Sequence, residues 1–466
     1  MKKKASFSVF MTMLTFLILA TVLSSCGGGG DVGTSIPAST TNWLWMSGSN
    51  IGKQVGIYGT KGVAAPNNVP GARVRAISWI DSNDNLWLFG GSGLDSAGDG
   101  GLLNDLWKFD GTNWTWVSGS NIRRQVGIYG TKGVAAPSNV PGARCWAVSW
   151  IDKSGNLWLF GGDALDAVGR DGQLNDLWKF DGTNWTWVSG SSSVGRVGIY
   201  GTKGVAAPNN VPGCRWSAAS WIDSSDNLWL FGGLGCDSVN GMMHLNDLWK
   251  FDGTNWTWMS GSNIGKQVGI YGTKGVAAPN NVPGARVRAI SWIDSNDNLW
   301  LFGGSGFDLV EGNTETLNDL WKFDGTNWTW VSGSNVGFEI GIYGTKGSEA
   351  SNNVPGAREE AVSWIDSSDN LWLFGGLGCD SKMCGGLLND LWKFDGTNWI
   401  WISGSKKRNQ SGSYGTKGEA GANIPGARFG SISWIDSNDN LWLFGGSGLD
   451  SAGDNVGLND LWQHKK

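Results

Sequence analysis

The sequence predicts an all-β protein: six copies of one four-stranded antiparallel unit, closed into a ring. Three observations carry this. The phrase "NDLW" begins at Asn104, Asn175, Asn246, Asn318, Asn389 and Asn459, a period of about 71 residues that marks a supersecondary unit used six times. Glycine (75 residues) and tryptophan (32) far exceed ordinary usage while charged residues make up only 16%, a composition of short strands, tight turns and one recurrent aromatic packing device. The last copy, "LNDLWQHKK", breaks off where the other five run into a second aromatic stretch, and "TNWLWMSG" near the chain start supplies the missing piece.

Taken in chain order, residues 1–25 read as an export signal. Lys2, Lys3 and Lys4 form a basic start, "FMTMLTFLILATVL" is an apolar stretch too short for an ordinary membrane span, and small residues follow. Leu23-Ser24-Ser25-Cys26 resembles the lipobox of bacterial lipoproteins, a resemblance that implies a lipidated Cys26 as the first residue of the mature chain. Residues 26–41, with "GGGG" and "DVGTSIPAST", have no apolar periodicity and read as a flexible tether. The expectation is an exported protein held at a bacterial membrane by its acyl chain only. The residue after Cys26 is glycine, not the aspartate that retains some lipoproteins at an inner membrane, which points to the outer membrane or cell surface.

Within each unit of the region 42–466 four strands are expected. "AISWID" is the first, "NLWLFGG" the second, "DLWKFD" the third and "TNWTWVS" the fourth, each short, rich in β-branched and aromatic residues and bounded by turn signals. Asp110-Gly111 is a strong hairpin signal, and "DSNDN" is a polar, turn-prone link between the first two strands. Five tryptophans per unit account for every tryptophan except Trp146 and Trp216, so the indoles are expected to pack sheet against sheet.

The double glycine closing the second strand (Gly90-Gly91), the "LNDLWKFD" third strand and the fourth-strand tryptophan resemble the Kelch family in all six units. Two departures are visible: Phe109 stands where that family usually has tyrosine, and the unit exceeds the family's roughly 50-residue period. The excess is one segment, "GSNIGKQVGIYGTKGVAAPNNVPGAR". The resemblance implies a six-bladed Kelch-type β-propeller of four-stranded antiparallel blades. The N-terminal strand, with Trp43 and Trp45, would complete the last blade so that no sheet edge is left open.

Charge and composition exclude several functions. A net charge of -5, more negative still without Lys2 to Lys4, leaves no basic footprint for nucleic acid. No CxxC pair exists and His244 and His464 are the only histidines, so neither a zinc site nor any other metal or cofactor is expected. Among Kelch relatives, galactose oxidase needs histidines and tyrosines at copper. His244, read as part of a side loop, and His464, in the tail, do not suit it. Cys379 with Cys384, in one loop, and Cys214 with Cys236, on neighbouring strands, are possible disulfides, though sequence does not fix the connectivity.

Residues repeated in every unit read as structural, because a functional constellation needs different groups converging on one place. "GTKG" lacks phosphate-loop spacing, and "DSNDNL" has leucine where an EF-hand needs glycine. Variation gathers in the connections after the second and fourth strands, which share one face of a meander and form the layout of a binding surface. It is sharpest after the repeated arginine: Val74-Arg75, Cys145-Trp146, Trp216-Ser217, Val287-Arg288, Glu359-Glu360 and Phe429-Gly430. With Arg73, Arg144, Arg215, Arg286, Arg358 and Arg428, read as channel arginines, these residues predict a collar at the channel mouth. Arg75, Trp146, Trp216, Arg288, Glu359, Glu360 and Phe429 are its candidate ligand-binding groups. Aromatics with planar donors suit a glycan or an acidic peptide.

The expected function is therefore a monomeric, non-catalytic binding module for a glycan or protein. Two alternatives stand beside it. One is a metal-free carbohydrate-active enzyme using Glu359 or Glu360, since Kelch relatives include sialic acid mutarotase as well as the oxidase. The other is a structural or adhesive repeat protein, favoured by the identity of residues Trp45 to Gly93 with Trp258 to Gly306.

Overall fold

The structure is a computed structural model that describes residues 42–239, 241–309 and 313–466. The expected export signal, lipidated Cys26 and tether fall on residues 1–41, outside the described residues. Every regular element among the described residues is a strand.

In the first blade the second strand spans Leu86–Leu94, the third Gly100–Phe109 and the fourth Trp114–Ser118, paired antiparallel in that order. The first strand is in two pieces, Arg73–Val74 and Ile77–Ile80, both paired with the second. This differs from the expected single strand, because Arg75 between them is left-handed at φ 61° and interrupts the ladder. The five further blades repeat the plan. In the last, the strand Trp43–Ser47 pairs antiparallel with Asn455–His464, bringing Trp43 opposite His464 and Trp45 opposite Trp462. The chain closes a six-bladed β-propeller with its own N-terminal strand.

Blade packing is aromatic. Trp107 and Trp114, with their ten equivalents, are each less than 2% exposed, and burying one such ring removes roughly 150–250 Å² from water. The indole N–H of Trp79 donates to the carbonyl of Trp158 in the next blade at 3.1 Å, the first of six such bonds that end with Trp434 donating to Trp87. Nearer the axis a second circuit runs through the six first-strand serines. Ser149 Oγ donates to the Ser78 carbonyl and Ser78 Oγ to that of Ser433, with all six bonds between 3.2 and 3.5 Å. Ser78, Ile80 and their equivalents line a central channel of about 290 Å³.

The long fourth-to-first segment protects the rim. Gly62 N–H donates to the Trp116 carbonyl at 2.8 Å, and the equivalent glycine does so on every blade, so each outermost strand has a partner on its free edge. Tyr58 packs on Trp107 and Trp116, and Lys61 lies 4.2 Å over the Trp116 ring while donating to the Gly119 carbonyl. The "DSNDN" turn has a similar structural task. Asp81 accepts bonds from Asn83, Asn85 and the Trp87 indole, and Asp84 accepts from Ser437 of the neighbouring blade.

Candidate functional site at the channel mouth

The residue two positions after each repeated arginine is left-handed: Arg75, Trp146, Ser217, Arg288, Glu360 and Gly430, with φ between 52° and 61°. That conformation turns the peptide away from its own sheet and along the ring. Arg75 N–H donates to the Gly430 carbonyl at 2.7 Å, Trp146 to Arg75 at 3.0 Å, Ser217 to Trp146 at 2.8 Å, Arg288 to Ser217 at 3.0 Å, Glu360 to Arg288 at 3.2 Å and Gly430 to Glu360 at 3.0 Å. Six peptides thus form a closed hydrogen-bonded hoop on the loop side of the channel.

The side chains of this hoop meet over the axis. Arg75 Nε donates to Glu360 Oε2 at 2.9 Å and its Nη2 to Oε1 at 3.2 Å, while Arg288 Nε lies 3.0 Å from Oε1 of the same carboxylate. Arg288 Nη1 also donates to both oxygens of Glu359, at 3.2 and 3.3 Å. The Arg75 guanidinium sits 4.1 Å over the Trp146 ring and 5.2 Å from Phe429; that of Arg288 lies 5.6 Å from Trp146 and 5.3 Å from Trp216. The two indoles stack at 4.4 Å with an interplanar angle of 29°. Gly430 makes room for the Arg75–Glu360 contact, since a Cβ there would come within 2.5 Å of Val74 and 2.9 Å of Glu360 Oε2.

The collar is electrically balanced, two guanidinium groups against two carboxylates. The Glu360 and Glu359 side chains are 6% and 10% exposed, against 23% and 25% for the arginines. Burial pushes the Glu359 carboxyl above its ordinary range, opposed by the Arg288 guanidinium and reinforced by the Glu360 charge. The Trp146 indole N–H is buried and has no acceptor among the described residues. Cys145, beside this cluster, is a buried free thiol that burial pushes up to about 12, so it presents no thiolate. Cys214 is disulfide-bonded to Cys236, and Cys379 to Cys384.

Two sequence expectations need correction. Arg73, Arg144, Arg215, Arg286, Arg358 and Arg428 do not face the channel. Each is at most 2% exposed and forms a two-pronged pair with the aspartate of "NDLW": Arg73 Nη1 and Nη2 donate to Asp105 Oδ1 and Oδ2 at 2.8 Å. Tyr58 Oη and Trp107 Nε1 complete the aspartate's shell, both at 2.7 Å, and the same tetrad recurs in every blade. A buried guanidinium needs such a counter-charge. The two histidines, in turn, lie in strands: His244 in Met242–Phe251, and His464, 4% exposed, against Trp43 in the last blade. Among the described residues no group of three or more His, Cys, Asp or Glu is placed to hold a metal ion.

Sequence reasoning located the collar residues but missed the peptide hoop that gathers them, because nothing in the residue types announces a positive φ. It also missed Asp163, paired in register with Cys145, whose carboxyl burial and the Asp171 charge push upward against a bond from Gln173.

No family model matches the chain, and no curated protein does. Among solved structures, that of YjhT is similar, with a TM-score of 0.47 and 14% identity, over 84% of this chain and 95% of that one.

Proposed function

We propose that this protein is an exported, lipid-anchored, Kelch-type binding module that recognises a glycan on its loop face, at the channel mouth. The observation that carries the reading is the occupancy of the peptide hoop. Left-handed backbone costs a residue with a side chain roughly 1–2 kcal/mol, and glycine avoids that cost. Yet only one of the six positions is glycine; the others are two arginines, a glutamate, a tryptophan and a serine. Strain kept where a cheaper residue exists supports a role for the side chains. Stacked half-buried indoles beside fixed planar donors suit sugar rings, which present an apolar face and rim hydroxyls.

A second reading, a metal-free enzyme on the same collar, is favoured by one observation: the raised carboxyl of Glu359, the property a general acid needs.

The test is a glycan-array and surface-extract screen with the purified protein beside a Trp146→Ala, Trp216→Ala, Arg75→Ala triple variant. Binding lost in a variant that still melts cooperatively supports the collar as the site. Binding retained in the triple variant overturns it. Glycan turnover abolished by Glu359→Gln would favour the enzyme.

A further inference from the structure

A second site lies outside the collar, between the last and first blades. At each blade junction one N–H of the fourth-to-first segment donates to a carbonyl on the preceding blade's third strand: Lys53 to Gly457, Arg124 to Leu102, Gly195 to Gln173, Lys266 to His244, Phe338 to Thr316 and Asn409 to Leu387. Five acceptor residues carry a side chain there, and Gly457 does not.

Nothing in the backbone requires that glycine. Its φ is not left-handed, and a Cβ would meet only the Ala72 Cβ, at 3.8 Å, an ordinary contact. Gly100, on the opposite side, is equally free, with Leu94 Cδ2 at 4.0 Å. The consequence of these glycines is space, an open cleft of about 720 Å³, within the range of small-molecule sites.

The repeat supplies an internal control. Residues Trp45 to Gly93 and Trp258 to Gly306 are identical, so the junction before the fourth blade has the same near wall, including Lys266 in place of Lys53. There His244 stands where Gly457 does, and its ring packs edge-on against Phe307 at 5.8 Å. The cleft persists there at about 570 Å³, but His244, Phe307 and the carboxylate-bearing Glu315 line it beside Lys266. The first junction keeps the same near wall with a wider cleft and no such carboxylate.

We propose that this cleft binds a small organic anion with an apolar body, such as an aryl or branched-alkyl carboxylate. Val55, Ala72, Val74 and Leu94 provide the apolar walls. Lys53 is exposed at the rim, and among the described residues no carboxylate lines the cleft to neutralise it. The Arg73 guanidinium is held inside by Asp105, which leaves Lys53 as the charge that selects the ligand. Ser92 and Ser447 add neutral polar groups for orientation. The site is separate from the collar and does not depend on the glycan reading.

The experiment titrates the full protein with 3-phenylpropionate, and with 3-phenylpropanol as its uncharged twin, by ligand-observed NMR and calorimetry. The carboxylate is expected to bind in the millimolar range or tighter, and the alcohol about tenfold more weakly. Lys53→Ala should remove that preference, Gly457→His should weaken binding by placing an imidazole in the cleft, and Lys266→Ala should change nothing. No binding of the carboxylate, equal binding of the two probes, or binding unaltered by Gly457→His would each overturn the proposal. Should Gly457→His fold poorly, the exposed Lys53→Ala still decides the matter.

Discussion

Trp43 and His464 are register partners in the last blade, their rings 5.0 Å apart and inclined at 70°, although the chain between them traverses five other blades. Phe109, Phe180, Phe251, Phe323 and Phe394 occupy the position of His464 elsewhere.

Burial lowers the His464 pKa to about 4, which makes the last blade acid-sensitive. The unfolded chain takes up this proton near pH 6.5 and the folded chain only near 4. Stability is therefore full above about pH 6.5, falls as pH drops through that window, and is lowest below 4. The loss is about 3 kcal/mol. His464→Phe should abolish this part of the pH dependence, which denaturant titrations between pH 4 and 7 would measure. Equal slopes for variant and parent would refute it.

Trp43 is fully buried against Phe374 and Trp462. Trp43→Ala should cost about 3–5 kcal/mol, as for other buried aromatics. Deleting residues 42–48 should go further and open the ring, read as increased hydrogen exchange along Asn455–His464. Unchanged melting of the deletion variant would show that the closing strand is dispensable.

Removing one member of a buried ion pair leaves the other charge without a partner. Asp105→Ala is expected to cost roughly 3–5 kcal/mol, and Arg73→Met a similar amount. The double variant should recover part of the loss, which a double-mutant cycle would report. Additive losses would mean that the pair is not coupled.

Gly430→Ala should misalign Arg75 and Glu360, since its Cβ would press on Val74 and the Glu360 carboxylate. Ser217→Gly relieves a left-handed serine and should leave stability within about 1 kcal/mol of the parent. Paired melts of the two variants test the hoop. The reverse order of stability would contradict the crowding at Gly430.

The blades and their closure were legible because they follow from period: a tryptophan on every strand, turn residues at fixed offsets and a truncated last unit that needs "TNWLWMSG". The arginines were not. The arginine of "PGAR" ("PGCR" once) and the aspartate of "NDLW" each recur six times with one period, so the Arg73–Asp105 partnership was present as two equal counts, but a count does not say that the two meet inside. The collar lay between these cases. Its variable pairs pointed to the mouth, whereas the left-handed backbone that turns Arg75 and Glu360 toward each other has no residue-type signature. His464 shows the limit of reading position from sequence, because it was read as tail although it stands where the other units have phenylalanine, beside the strand expected to close the ring.

The three circuits of hydrogen bonds, through peptides, serines and indoles, have no beginning. The bonds that Arg75 makes to Gly430, Ser78 to Ser433 and Trp434 to Trp87 are the same in kind as those at the other five junctions and similar in length, so these circuits show no seam where last and first blades meet. Lys465 N–H already reaches the Asn42 carbonyl at 2.9 Å. A chain joined there by a short linker and cut instead between any other third and fourth strand would trace the same wheel. The order of the blades along the gene is thus a matter of bookkeeping, and their order around the axis is the property the fold holds fixed.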